Sequence, residues 1–324
     1  MPQPKNVAWI GLSKETVSGT FTAPVDWLPV TALDAFDNIH YLPDKGLRGS
    51  AVETYGQIAA QGEGEISFSG DVFPESIPRV LIGLLGEQAT GAAVSGVYPT
   101  NINVLNTTPF QPPTYSVTVS NGFNYRSYTG VLFSELAFKF AADGLMTYSC
   151  KGLGFLSSVQ AGPFTPVFNA QPPIASWNGS LTFAAVADTH LESIDITINR
   201  PVSPIHNIAT TQSPYKIWAG AVKCAGKAVF IYEDDATELT KYLTGAPQVA
   251  VAKFTTGAAA TLRGLTFTMS KLLLINPTKP VWSKDYVELD ATFEAVANTV
   301  DVGASAGYSP VRVLAQSLVA SYTT

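Results

Sequence analysis

The chain has 324 residues and a formal charge of −6, from 19 Lys and Arg against 25 Asp and Glu. Charged residues make up only 14% of it, apolar residues 46%, and the mean hydropathy is +0.17. A protein that grips nucleic acid through a basic footprint is excluded, because phosphate neutralisation supplies most of that affinity, and a surface so short of charge is expected to be covered by other subunits.

Residues 1–10 lack the charged-then-apolar pattern of a signal peptide, and no apolar run approaches the ~20 residues that span a bilayer. Synthesis in the cytoplasm without membrane contact is therefore expected. The first strands are expected over 36–42 and 63–69. Pro74 then opens a helix in which Ile77, Val80, Leu81 and Leu84 recur at helical spacing, and Gly86 stops it. The stretch 87–113 reads as a long loop. Tyr115, Val117 and Val119 alternate with Ser116 and Thr118, the period of a strand with one buried face. Asp143-Gly144 joins strands 132–140 and 145–153 as a hairpin. Pro163, Pro166, Pro172 and Pro173 mark 161–177 as a linker. Strands 192–200 and 222–232 follow. An acidic start at Glu233, Asp234 and Asp235 then suits a second helix over 234–243, closed by Gly245. Val287, Leu289, Ala291 and Phe293 define a late strand.

The two halves resemble each other. Tyr55 and Tyr215 each precede a strand, a helix and a glycine (Gly86, Gly245), and the landmarks are offset by about 160 residues. The fold class expected is all-β with minor helix, as two tandem β-barrel or β-sandwich units each flanked by one α-helix. The divisions are 1–162 for the first unit with its N-terminal arm, 163–177 for the Pro-rich linker and 178–324 for the second unit.

Chemistry is sparse. His40, His190 and His206 have no metal-ligand spacing, and Cys150 and Cys224 read as buried, reduced thiols. Gly62-Glu63-Gly64 and Gly152-Leu153-Gly154 lack the third glycine of a dinucleotide site and read as places where backbones approach closely. No catalytic, metal or cofactor site is expected, and the chain does not read as an enzyme. Glu63, Glu65, Glu288, Asp290 and Glu294 fall on strand faces opposite the apolar ones. Glu288 and Asp290 could pair for acid–base work, but solvated strand faces explain such residues more often.

Several blocks together resemble the tail tube proteins of phages with long non-contractile tails, especially those of actinobacteria. They include the opening run Gly11 to Pro24, Trp27-Leu-Pro-Val30, Leu47-Arg-Gly-Ser50, Phe68-Ser-Gly-Asp-Val-Phe-Pro74 and Gln111-Pro-Pro-Thr-Tyr115. Arg200-Pro-Val-Ser-Pro204, Gln212-Ser-Pro-Tyr215, Tyr232-Glu-Asp-Asp235 and Lys284-Asp-Tyr-Val-Glu288 continue the pattern. The resemblance implies a virion structural protein whose rings stack around a tape-measure protein, with tail terminator and distal tail proteins as further partners. Double-stranded DNA would pass through without specific binding. Two units per chain imply trimeric, pseudo-hexameric rings, and Glu65, Ser67, Glu288, Asp290 and Thr292 are the candidates for lining the lumen. The N-terminal arm before Trp27 and the 87–113 loop are candidates for contacts between rings. The competing readings are an extracellular β-sandwich adhesion protein, the inner tube of a contractile tail and a glycan hydrolase.

Overall fold

Apolar side chains on alternate strand positions bury one face of nearly every strand: Ile66 and Phe68 are buried, while the alternating Glu65 and Ser67 are not. The computed structural model describes residues 7–169, 171–183, 186–188, 190–208, 211–232, 243–257, 261–282 and 285–322, with backbone alone at 186, 188 and 276–279. The first half runs β1 (Trp9–Lys14), β2 (Asp26–Leu28), β3 (Ala32–Asp44), β4 (Gly56–Asp71), α1 (Ile77–Leu85), β5 (Gly86–Thr90), β6 (Tyr98–Val104), β7 (Tyr115–Ser120), β8 (Tyr125–Ala141), β9 (Thr147–Gly154) and β10 (Ser158–Gln160). The second runs β11 (Gly179–Phe183), β12 (Val186–Asp188), β13 (Leu191–Asn199), β14 (Val202–Ile205), β15 (Lys216–Ala219), β16 (Lys223–Ile231), β17 (Gln248–Thr256), β18 (Arg263–Val281), β19 (Glu288–Ala295) and β20 (Arg312–Ser317). The all-β expectation with minor helix holds. The second helix expected over 234–243 falls almost wholly outside the described residues.

The strand pairings occur twice. In the first half β3 pairs with β4, β4 with β9 and β9 with β8; β8 then continues into β7, β1 and β2, with β10 on its other edge. The second half repeats each step: β13–β16–β19–β18, then β17, β11 and β12, with β20 in the place of β10. The long strands β8 and β18 each serve two sheets and carry register shifts where they change partners, at Tyr128–Val131 and Met269–Leu272.

Two ladders join the halves. β13 pairs with the last part of β8, from Ser193↔Ala141 to Asn199↔Glu135. One eight-stranded sheet therefore runs β3-β4-β9-β8-β13-β16-β19-β18. In the second ladder β6 pairs with β20. The stretch expected as loop over 87–113 thus carries the β5–β6 hairpin, whose outer strand completes the sheet of the other half.

A single apolar core runs through both halves. Phe140 of β8 stacks on Phe254 of β17 at 3.6 Å, and Phe138 meets Phe267 of β18 edge-on at 5.1 Å. All nine residues of α1 are buried, Arg79 included, and that guanidinium is ion-paired with Asp26. Burial outweighs this partner and pushes the Asp26 carboxyl up. Gly86 ends the helix at φ 102°, which glycine adopts without strain. Gly64 and Gly154 face each other across β4 and β9, where a Cβ on Gly64 would sit 2.4 Å from the Tyr128 ring. That is the close approach expected of the glycine pairs. Within 161–177, Ile174 is buried and its backbone bonds to Val72 and Met146, so the proline-rich stretch is tied to the first half.

Candidate functional site

The eight-stranded sheet has one face on the core and one turned away from it. Directly paired residues in an antiparallel ladder share a face, so the register fixes the composition of the outer face. On β4, Ser67 lies between Asp34 and Lys151, and Glu65 between Phe36 and Leu153. Across the sheet, Thr292 lies between Lys227 and Ile275, Asp290 opposite Val229, and Glu288 opposite Ile231. Following the ladders through β9, β8, β13 and β16 brings all five positions to one face. The structure therefore gathers Glu65, Ser67, Glu288, Asp290 and Thr292 on one surface. Glu288 is largely buried at the end of its strand and contributes least to it.

Sequence reading missed the lysines of this face. Lys151 pairs with Glu135, Lys223 with Glu294 and Lys227 with Asp290, each at 2.9 Å. Asp195 stands opposite both Lys139 and Lys227 in the register, and Asn38 donates to Glu65 at 2.7 Å. Pairs this exposed stabilise by only about 0–1 kcal/mol each. Their effect here is electrostatic: the ammonium groups of Lys151, Lys223 and Lys227 are already engaged with carboxylates, and Ser69, Thr147, Ser149 and Thr197 fill neighbouring positions. The face is polar and weakly negative. Three of its lysines are thus neutralised by carboxylates, which lowers its hold on a phosphate backbone. The lysines were invisible as a group because Lys139 and Lys151 of the β8–β9 hairpin are far in sequence from Lys223 and Lys227 of β16 and meet them only through the register.

At one end of this face the β14–β15 hairpin of the second half folds over the first. Ile217 and Ala219 bury against Leu132, with Phe155 and Val202 alongside. The Gln111 side chain bonds to Ala219 through both backbone groups, accepting from its N–H at 2.8 Å and donating to its carbonyl at 3.0 Å. His206, in the loop of this hairpin, approaches Glu63 at 3.7 Å, and His40 approaches the same carboxylate at 3.4 Å. Among the described residues no group of three or more His, Cys, Asp or Glu could hold a metal ion. No helix there is long and apolar enough to cross a membrane.

The family model described as phage tail tube protein matches residues 6–295, through both halves of the sheet. The chain belongs to the phage tail tube protein family. Comparison with curated proteins gives no match. Membership makes this tail tube protein a structural component of the virion tail, in a family that assembles from copies of itself and meets other tail proteins. The repeated pairing pattern and the polar sheet face are the features of this tail tube protein on which a tube wall would draw.

Proposed function

We propose that three copies close into a ring of pseudo-sixfold symmetry, and that rings stack into the tube of a long non-contractile tail. The tube assembles around a tape-measure protein, is bounded by tail terminator and distal tail proteins, and later conducts the genome out of the capsid. Its subunits are made in the cytoplasm of the host. The observation that carries this reading is the eight-stranded sheet made of two four-stranded repeats, with one polar, weakly negative face. Eight strands from each of three chains give a 24-stranded barrel. With strands ~4.8 Å apart and tilted by about 35–45°, its wall is roughly 45–52 Å across, which leaves room for a hydrated duplex inside.

In this reading the polar face lines the lumen. Glu65, Ser67, Asp290 and Thr292 present oxygens to the passing DNA, and the ion-paired lysines give it little to hold. Closed rings use heterologous contacts that return on themselves, while stacking uses a head-to-tail contact that does not. Electron microscopy of assembled protein, averaged down the tube axis, tests the proposal. Threefold rings with six lobes support it, and rings of six whole chains overturn it.

A further inference from the structure

The chain contains a worked example of how one repeat joins the next. In that junction β13 lies against the edge of β8, and the β14–β15 hairpin extending from it covers Leu132. The first-half counterpart of β13 is β3, and its outer edge has no partner strand among the described residues. The registers match. Tyr41↔Ala59, Leu42↔Ile58, Pro43↔Gln57 and Asp44↔Gly56 in the far part of β3–β4 repeat Val202↔Ala219, Ser203↔Trp218, Pro204↔Ile217 and Ile205↔Lys216 in β14–β15. Leu33, Asp34 and Asn38 also stand where β13 has Ile194, Asp195 and Asn199.

Burial separates the two hairpins. Ile217 and Ala219 are 6% and 2% exposed on the face that meets Leu132, whereas Tyr41, at the position of Val202, is 55% exposed and Ala59 is bare. The receiving surface is also repeated. Leu132 pairs with Leu153 of β9, and Leu273 pairs with Glu294 at the same point of β19. Leu132 is 1% exposed under its hairpin; Leu273 lies on the outward face of β18 without such a cover and is only partly buried. One arm thus lacks a seat, and one seat lacks an arm.

We infer that the β3 edge and the β3–β4 arm of one copy dock on the β18 edge and Leu273 of a second copy, repeating between chains the junction made within the chain. This rests on the tube reading and names the surface that closes the ring. Pro277 and Pro280 lie in the receiving stretch of β18 and cannot donate to a ladder. The apolar seat of the arm therefore carries more of this junction than Ile217 and Ala219 carry of the internal one.

The test uses assembled protein carrying Tyr41→Cys and Leu273→Cys, since both native thiols are buried and will not interfere. Mild oxidation is expected to yield disulfide-linked dimers and trimers on denaturing gels. A mixture of the two single variants should yield only dimers, each with one chain of either kind. Val202→Cys with Leu132→Cys is the control and should close within one chain. Tyr41→Asp and Leu273→Asp change exposed or partly exposed positions, so each should remain folded by circular dichroism and lose assembly. Tubes that form without the Tyr41→Cys/Leu273→Cys link, and that tolerate both aspartates, overturn the junction while leaving the tube reading intact. Failure of the unmodified protein to form any ring or tube overturns the tube reading itself.

Discussion

Arg200 donates to the carbonyl of Leu84 at 2.9 Å, so a side chain from the second half of the chain caps the helix of the first. The same guanidinium reaches the carbonyls of Leu85, Phe110 and Gly220 at 3.4, 2.6 and 3.1 Å. It is 3% exposed, and burial pushes its pKa down to about 10, so the charge is held by carbonyl dipoles alone. Arg200→Ala leaves these acceptors buried without their donor and is expected to cost about 2–4 kcal/mol. Arg200→Lys should recover little, because one ammonium cannot span the fork. Urea unfolding of the three proteins measures this, and an alanine variant as stable as the parent would refute it.

Glu15 organises the loop after β1. Its Oε2 accepts from the Gly19 N–H and the Thr114 hydroxyl, both at 2.8 Å. Its Oε1 accepts from the Ser116 hydroxyl at 2.9 Å and the Gly130 N–H at 2.8 Å. Each oxygen thus faces one backbone N–H that cannot rotate away. Glu15→Gln must turn an NH2 group toward one of them, and a loss of about 2 kcal/mol is expected despite the near-identical shape. A melting temperature unchanged by this substitution would contradict the arrangement.

Burial raises the pKa of Cys150 well above that of an ordinary thiol and that of Cys224 to about 12. The same cause raises the phenols of Tyr115, Tyr148 and Tyr322. Iodoacetamide at pH 8 should therefore label neither thiol in the native protein and both after unfolding. The sign for stability follows from linkage. Between the unfolded and folded pKa values the unfolded chain releases protons that the native state keeps, so stability falls as pH rises. These groups contribute a flat profile below about pH 8 and a progressive loss above it. Urea midpoints from pH 7 to 11 read it directly.

Asp290→Lys and Glu294→Lys remove the partners of Lys227 and Lys223 and add two further ammonium groups to the polar face. If that face lines the lumen, tubes should still form, and DNA release should slow several-fold at low salt. The effect should shrink as salt shortens the screening length from ~10 Å at 0.1 M. Release at the parental rate at every ionic strength would remove these positions from the channel wall.

The helix was legible because Ile77, Val80, Leu81 and Leu84 keep helical period between Pro74 and Gly86, and β8–β9 because Asp143-Gly144 sits between two alternating runs. β6 was not, since Pro99, Asn101 and Asn103 leave Ile102 and Val104 too little alternation to register as a strand. Period two assigns a side chain to a face but says nothing about the neighbouring strand. The pairing of β8 with β13, and with it the common face of Glu65 and Asp290, therefore had to come from the structure. The repeat was visible in Tyr55, Gly86, Tyr215 and Gly245. Its register was hidden because the β5–β6 insertion changes the offset between the halves.

The placement of that insertion also bears on timing. Ile102 of β6 finds its outer partner in Val313 of β20, which a ribosome adds only after nearly all of the second half has been made. Contacts so distant in sequence form slowly and late. A nascent chain is thus expected to hold the β6 edge of its β5–β6 hairpin unpaired until β20 has emerged, long after the hairpin itself is made. The hairpin that the first half lends to the second is therefore one of the last pieces of the fold to be locked in place.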